Sequence, residues 1–348
     1  MTRSIARSTI SAPAESRREL TSKGLLRPTI VVIGVLIAAT AVAANADNFV
    51  LFQLSRVAVV FIVLIGLNLL TGKAGLISVG HGALMGIGAY VTAILVQHAG
   101  WSYLIAVPIA VASCAVIGAV LGFPALRIRG LYLGLVTLSV AIALSPVLKR
   151  WADLTGGPLG ISPRPPDLLS DTLTPAQSVF LTVTAVAVGV AVLMRWAMST
   201  GWGRRLAAVK VSDKMSAANG IPVASTKIGA FVAGSAIAGL GGALYVIVLG
   251  TITPDTFTVM LSITLLAAAV FGGLYTPIGA VIGAVFFVYV PDLTAGFGGQ
   301  ASQILYAAAL LLAIYFAPAG MGGLLTQGLR VANTFFALQR SKARSEKS

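Results

Sequence analysis

Ten apolar stretches of 15 to 22 residues follow one another along this chain, and that succession constrains its fold more than any other feature. A helix that crosses a bilayer needs ~20 consecutive, mostly apolar residues. The candidate spans are 29–46, 50–70, 80–97, 102–122, 131–148, 177–195, 228–249, 257–275, 277–291 and 302–318. Lipid offers no partner to a free backbone N–H or C=O, so runs of this length are expected as helices. Composition agrees: 57% of the 348 residues are apolar and only 10% are charged. Soluble domains carry roughly 25% charge. The fold expected is therefore all-α and polytopic, with about ten transmembrane helices (eight to ten). The Tyr275-Thr276-Pro277 break reads as a kink or a short loop. The glycine-rich 71–80 segment (TGKAGLISVG) reads as a loop or as a broken helix at membrane depth, tolerated there only if buried or lining a cavity.

The net charge of +14 does not mark a nucleic-acid partner, because the cations lie in the tails and loops that flank apolar runs. With the N-terminus inside, 20 of the 24 Lys and Arg fall on the cytoplasmic side, against Lys149, Arg150 and Arg164 outside and Arg56 within a span. Six of the ten acids, Asp292 among them, fall outside. This distribution predicts an inner-membrane, multi-pass protein with both termini cytoplasmic. The expected organisation is a cytoplasmic tail over 1–28, a transmembrane domain over 29–320 and a second cytoplasmic tail over 321–348. An external loop, 149–176, and a cytoplasmic loop, 196–227, interrupt the membrane domain. The run after Arg27 reads as a first span rather than a cleavable signal core.

Several chemistries lack their residues. The segment from Gly66 to Ala74 has five residues between its glycines and an alanine after Lys73, so it is not a phosphate-binding loop. None of the acids falls inside the candidate spans, which counts against proton coupling. Cys114 has no disulfide partner in the chain, and His81 has no His or Cys near it at ligand spacing. No cofactor, metal or catalytic residue is expected.

The loop 196–227 carries the most information. Residues 204–218 are expected to form one short helix, with Leu206, Val209 and Met215 towards one side and Arg205, Lys210 and Lys214 among the polar positions. Asn219-Gly220 supplies a C-cap and Pro222 prevents continuation. Such a helix either rests on lipid or docks in a cleft of a cytoplasmic partner.

From Gly203-Arg204-Arg205-Leu206-Ala207-Ala208-Val209-Lys210 to Asn219-Gly220-Ile221, this loop resembles the coupling region of branched-chain amino acid ABC importer permeases. Ala238-Gly239-Leu240-Gly241-Gly242-Ala243-Leu244-Tyr245, Gly272-Gly273-Leu274 and Pro277-Ile278-Gly279-Ala280 extend the likeness. In the first half it is carried by Gly66-Leu67-Asn68-Leu69-Leu70-Thr71-Gly72, by Gly75 through Gly82 and by Gly86-Ile87-Gly88-Ala89-Tyr90. The likeness runs over about residues 50–320 and points to the M-type member of a permease pair. Val211 stands where the family usually has an acid, Lys214 where it has an apolar residue, and Pro158-Leu159 where it often has Ser-Asp.

The resemblance implies a transport subunit that is not itself an enzyme. It implies a heterodimer with a second homologous permease, two cytoplasmic ABC ATPase subunits, an extracytoplasmic substrate-binding protein and a lipid setting. Branched-chain amino acids are the implied substrates. Urea, short amides or other amino acids are the alternative within the family, and a stand-alone ion-coupled carrier or channel the alternative outside it. Candidate pathway residues are Arg56, Asn68, Ser78, His81 and Tyr90; candidate ATPase-coupling residues are Arg204, Ala208, Lys210, Asp213 and Gly220. Arg56 either snorkels to the interface or faces the bundle interior, and His81 is either a structural histidine or a pathway contact. The pairs Gly82/Gly86, Ser235/Gly239, Ala238/Gly242 and Gly279/Gly283 read as packing seams.

Overall fold

The structure is a computed structural model that describes residues 32–128, 130–166, 173–274, 276–294 and 320–323, with Leu305 and Ala308. All of the candidate span 302–318 but Leu305 and Ala308, the tail 1–28 and most of 321–348 lie outside the described residues. The chain divides into two units, 1–46 and 47–348. The first contributes one apolar helix, α1 (Val32–Asn45).

The regular elements described in the second unit are all helical, apart from one isolated β-bridge. Its elements are α2 (Asn48–Leu67), α3 (His81–Gln97), α4 (Tyr103–Gly122), the one-turn α5 (Pro124–Arg127), α6 (Leu131–Arg150), the one-turn α7 (Ala152–Thr155), α8 (Pro175–Ser199), α9 (Gly201–Val211), α10 (Asp213–Ala218), α11 (Val223–Leu249), α12 (Val259–Gly272) and α13 (Pro277–Thr294). Among the described residues, six helices are long and apolar enough to cross a membrane. They are α2 with its π-helical extension, α4 with α5, α6, α8, α11 and α13; α1, α3 and α12 are apolar but shorter.

The long helix α11 packs against α2, α3 and α4. Its small residues make that possible. A methyl group on Gly242 would meet the backbone of Met85 and Ala89 in α3, and one on Gly234 would meet Leu70 and the Gly66 backbone. Gly239 faces Cys114 of α4, whose thiol donates to the Leu84 carbonyl at 3.4 Å. The four small-residue pairs expected as seams do sit at close approaches: Gly82 lies on Ser262, Gly86 on Phe257 and Leu144, Ser235 on Gly118, and Gly279 and Gly283 on Gly272 and Ala268. Lipid tails are as apolar as a helix face, so this close packing holds the bundle together.

The break at 71–80 is resolved. The end of α2 widens into a π-helical turn, Asn68–Lys73, and irregular backbone continues to Gly80. Ala74, Leu76, Ser78 and Gly80 are buried. The Leu76 N–H donates to the Leu70 carbonyl at 2.9 Å and the Val79 N–H to the Thr137 hydroxyl at 2.9 Å. Protein groups thus satisfy backbone that lipid could not. At the second break, α12 and α13 are separate helices, and the Thr276 hydroxyl accepts from the Gly279 N–H at 3.0 Å as α13 starts.

One expectation is overturned here. Asp292 is not in a loop: α13 runs through Pro291 to Thr294 and carries the acid in its last turn. Proline loses one helix hydrogen bond but does not stop a helix held by its neighbours. The premise that the spans hold no acid therefore fails at this position.

Candidate functional site: a small cavity and a tethered elbow

The candidate residues separate towards the two ends of α2. Near its start, Gln53 and Arg56 stand three residues apart and share a helix face. Arg56 Nη1 donates to Gln53 Oε1 at 2.7 Å and lies 3.4 Å from Asp292 Oδ2. Gln53 Nε2 donates to the same Asp292 oxygen at 2.6 Å. Gln53 is buried, whereas the Arg56 and Asp292 side chains are 29% and 42% exposed. Arg56 therefore meets an acid on another helix instead of only reaching outward.

Beside this cluster is a cavity of about 260 Å³. Arg56 and Tyr245 bring polar groups to it, while Val60, Leu261, Phe287 and Val288 supply apolar wall. Ligand pockets usually occupy roughly 300–1,000 Å³, so this one falls just below that range.

The other pathway candidates do not line that cavity. Ser78 Oγ and His81 Nδ1 form a buried hydrogen bond of 2.9 Å where the irregular segment enters α3. Tyr90 packs edge-on against Phe257, with ring centroids 6.0 Å apart. Asn68 begins the π-helical turn. The Asn68 Oδ1 and Tyr90 hydroxyl are buried without a hydrogen-bond partner among the described residues. The five candidates thus do not form one cluster. Gln53 and Asp292, missing from the expected set, hold Arg56 where it lines the cavity but do not line it themselves. The i,i+3 spacing of Gln53 and Arg56 was a visible signal for the first; nothing in the sequence marked the second.

At the far end of α2 lies the loop 196–227. Its expected single helix is two helices meeting at Ser212, whose backbone is extended (φ −161°, ψ 118°). The Ser212 hydroxyl accepts from the Met215 N–H at 3.3 Å and so caps α10. The Thr200 hydroxyl caps α9 in the same way by accepting from Trp202 at 3.3 Å. Gly220 has φ +75°, with the Gly220 N–H donating to Ala217 and the Ile221 N–H to Ser216, both at 3.0 Å. That is a Schellman closure, and its left-handed residue favours glycine.

Three contacts hold this elbow to the bundle. Leu206 is buried in a cluster with Leu69, Leu70, Leu76, Ala230 and Phe231. The Lys210 ammonium donates to the Gly72 carbonyl at 2.7 Å while its stem passes over Gly75. The Lys227 ammonium donates to Asp213 Oδ2 at 2.6 Å, with the two side chains only 6% and 13% exposed. Asp213 thus pairs inside its own chain. Arg204 is exposed and Ala208 half-buried. Met215, expected beside Leu206 and Val209, is instead 67% exposed, and Val211 is 83% exposed. The bend at Ser212 breaks the helical register that would have aligned them.

The segment between α6 and α8 is tied down by its own contacts. Ile161 and Ile252 exchange two backbone hydrogen bonds of 2.9 Å. Lys149 pairs with Asp255 at 2.5 Å, and Arg164 Nη2 donates to the Gly100 carbonyl at 2.7 Å.

The described residues form a helical bundle apolar enough to cross a membrane, with a small cavity near one end of α2 and a tethered elbow near the other. Residues 49–316 match the family described as branched-chain amino acid transport system / permease component, and the chain belongs to that family. It is similar to the high-affinity branched-chain amino acid transport system permease protein LivM of Escherichia coli strain K12, at 28% identity over 306 residues, covering 81% of this chain and 72% of the relative. The protein of the same name from Salmonella typhimurium strain LT2 is 29% identical over 294 residues, covering 77% and 69%. No solved structure matches the chain. The chain is a multi-pass membrane permease component, not an enzyme.

Proposed function

We propose that this chain is one of two permease subunits of an ATP-binding-cassette importer in the inner membrane, and that it helps carry leucine, isoleucine and valine inward. Family membership supports the transport role, and the names of both relatives support the substrate class. The observation that carries the coupling role is the Lys210–Gly72 contact, which fastens α9 to the end of α2. A helix that merely floats on lipid needs no such tether. The exposed Val211 and Met215 at the bend offer apolar surface for a cleft in an ATPase subunit. A push there reaches α2 through Leu206 and Lys210, and α2 leads to the Arg56 cavity.

On this reading the subunit contributes two conformations and their differential contacts with the ATPases, not chemistry. Both termini and the elbow are cytoplasmic, and the loop after α6 faces the binding protein. The membrane domain has ten spans, with 302–318 as the last. The partners are a homologous permease, two ATPases and an extracytoplasmic binding protein.

The test is reconstitution of the complete complex in proteoliposomes with labelled L-leucine, L-isoleucine, L-valine and urea. Uptake of the three amino acids that requires ATP and both ATPase subunits is expected. Uptake by this chain alone, driven by an ion gradient, would favour the carrier reading instead.

A further inference from the structure

We propose that Arg56 and Asp292 form a receptor for the charged backbone of a free aliphatic amino acid, with Arg56 taking the carboxylate and Asp292 the ammonium. The inference rests on the importer reading above and adds to it the residues that recognise the substrate.

The first observation is the looseness of the pair. A relaxed charge-assisted hydrogen bond measures about 2.7–2.9 Å, whereas Arg56 Nη1 stands 3.4 Å from Asp292 Oδ2. Gln53 takes the shorter bonds to both partners. Among the described residues, Nε and Nη2 of Arg56 make no hydrogen bond, and Asp292 Oδ1 accepts none. A guanidinium has five N–H donors and a carboxylate about four acceptor positions. The two charges are thus held in place by Gln53 with capacity to spare on each.

The second observation is what adjoins them. Arg56 lines the cavity of about 260 Å³, and its Val60, Leu261, Phe287 and Val288 walls match an aliphatic side chain. Pro291 also lines it and lacks the N–H that would hold the Phe287 carbonyl in the regular helix pattern. Positive and negative groups next to an apolar chamber define a zwitterion with an apolar side chain. A neutral amide such as urea uses neither charge, and a fatty acid leaves Asp292 unmatched.

The third observation is exposure. With side chains 29% and 42% exposed, Arg56 and Asp292 form the kind of pair that adds little to stability. A device serving only to pin α2 to α13 has no need of an open cavity beside it.

The test uses the complete complex in proteoliposomes, with L-leucine as the probe. The paired variant R56Q/D292N removes both charges while keeping hydrogen-bonding side chains of similar shape. The expected result is a fall of roughly tenfold or more in L-leucine imported per ATP hydrolysed, as befits the loss of charged hydrogen bonds to substrate. An unchanged ratio overturns the proposal, because the pair is then only a clasp. If that variant does not assemble, Leu261→Trp decides in its place by filling the cavity with both charges retained: the same fall is expected, and normal import overturns the proposal. Import of urea but not L-leucine by the unmodified complex also overturns the receptor while leaving the importer reading intact. L-leucine uptake without any ATPase, still abolished in R56Q/D292N, sinks the importer reading and leaves the receptor standing.

Discussion

Lys210 and Gly72, 138 residues apart in sequence, meet through a 2.7 Å hydrogen bond from the lysine ammonium to the glycine carbonyl. The contact joins the α9–α10 elbow to the π-helical turn that ends α2. The carbonyl is available because backbone near a helix terminus has acceptors without an intrahelical donor. A cation suits that terminus, where the helix dipole is negative.

The same turn sets a steric prediction. A methyl group at Gly72 would run into the Leu274 carbonyl, just after α12. Gly72→Ala is expected to lower the stability of the purified permease by about 1–3 kcal/mol, the usual cost of overpacking. Thermal unfolding in detergent measures it. A variant as stable as the unmodified chain would show that this contact is slack.

The buried ion pair makes a second prediction. Removing one partner from such a pair costs about 3–5 kcal/mol, because the other is left charged and unmatched. Asp213→Asn or Lys227→Met should therefore loosen the elbow. Asp213→Lys should be worse, since it places two ammonium groups together. Replacing both partners with leucine should be milder than either single change. Protease sensitivity of the 196–227 loop reads the order, and equal sensitivity of all variants would deny the pair a structural role.

Most of the bundle was legible because lipid demands long apolar runs. Each expected span from 29–46 to 277–291 has a helix within a few residues of its bounds. The candidate site was less legible, for three physical reasons. Ser212 has no sequence signal stronger than its neighbours, so α9 and α10 read as one amphipathic helix until the cap at Met215 is seen. The apolar run ends at Pro291, one residue short of Asp292, so hydropathy alone left the acid outside the span. The Lys210–Gly72 and Arg56–Asp292 contacts link distant parts of the chain, and hydrophobic periodicity carries no information about such pairs.

Topology gives a third prediction, from the charge asymmetry of the loops. In a Cys114→Ser background, Leu159→Cys should react with an impermeant thiol reagent in intact cells, and Lys214→Cys should not. Leu159 is 88% exposed, whereas the adjacent Gly160 has φ +77° and its added methyl would strike the Ile252 carbonyl. Lys214 is exposed and leaves the Ser212 cap in place. Labelling of Lys214→Cys from outside would invert the orientation.

The most direct test of the account is the response of ATP hydrolysis to loaded binding protein in the complete complex carrying Lys210→Met. Methionine keeps much of the stem that lies over Gly75 and removes the donor to Gly72. Loss of a charged hydrogen bond is worth about 1.5–3 kcal/mol, enough for roughly a tenfold change or more. The account predicts that the complex assembles, that stimulation by loaded binding protein falls by about that factor, and that L-leucine uptake falls with it. Full stimulation together with full uptake in Lys210→Met would contradict the claim that the elbow drives the pathway through α2.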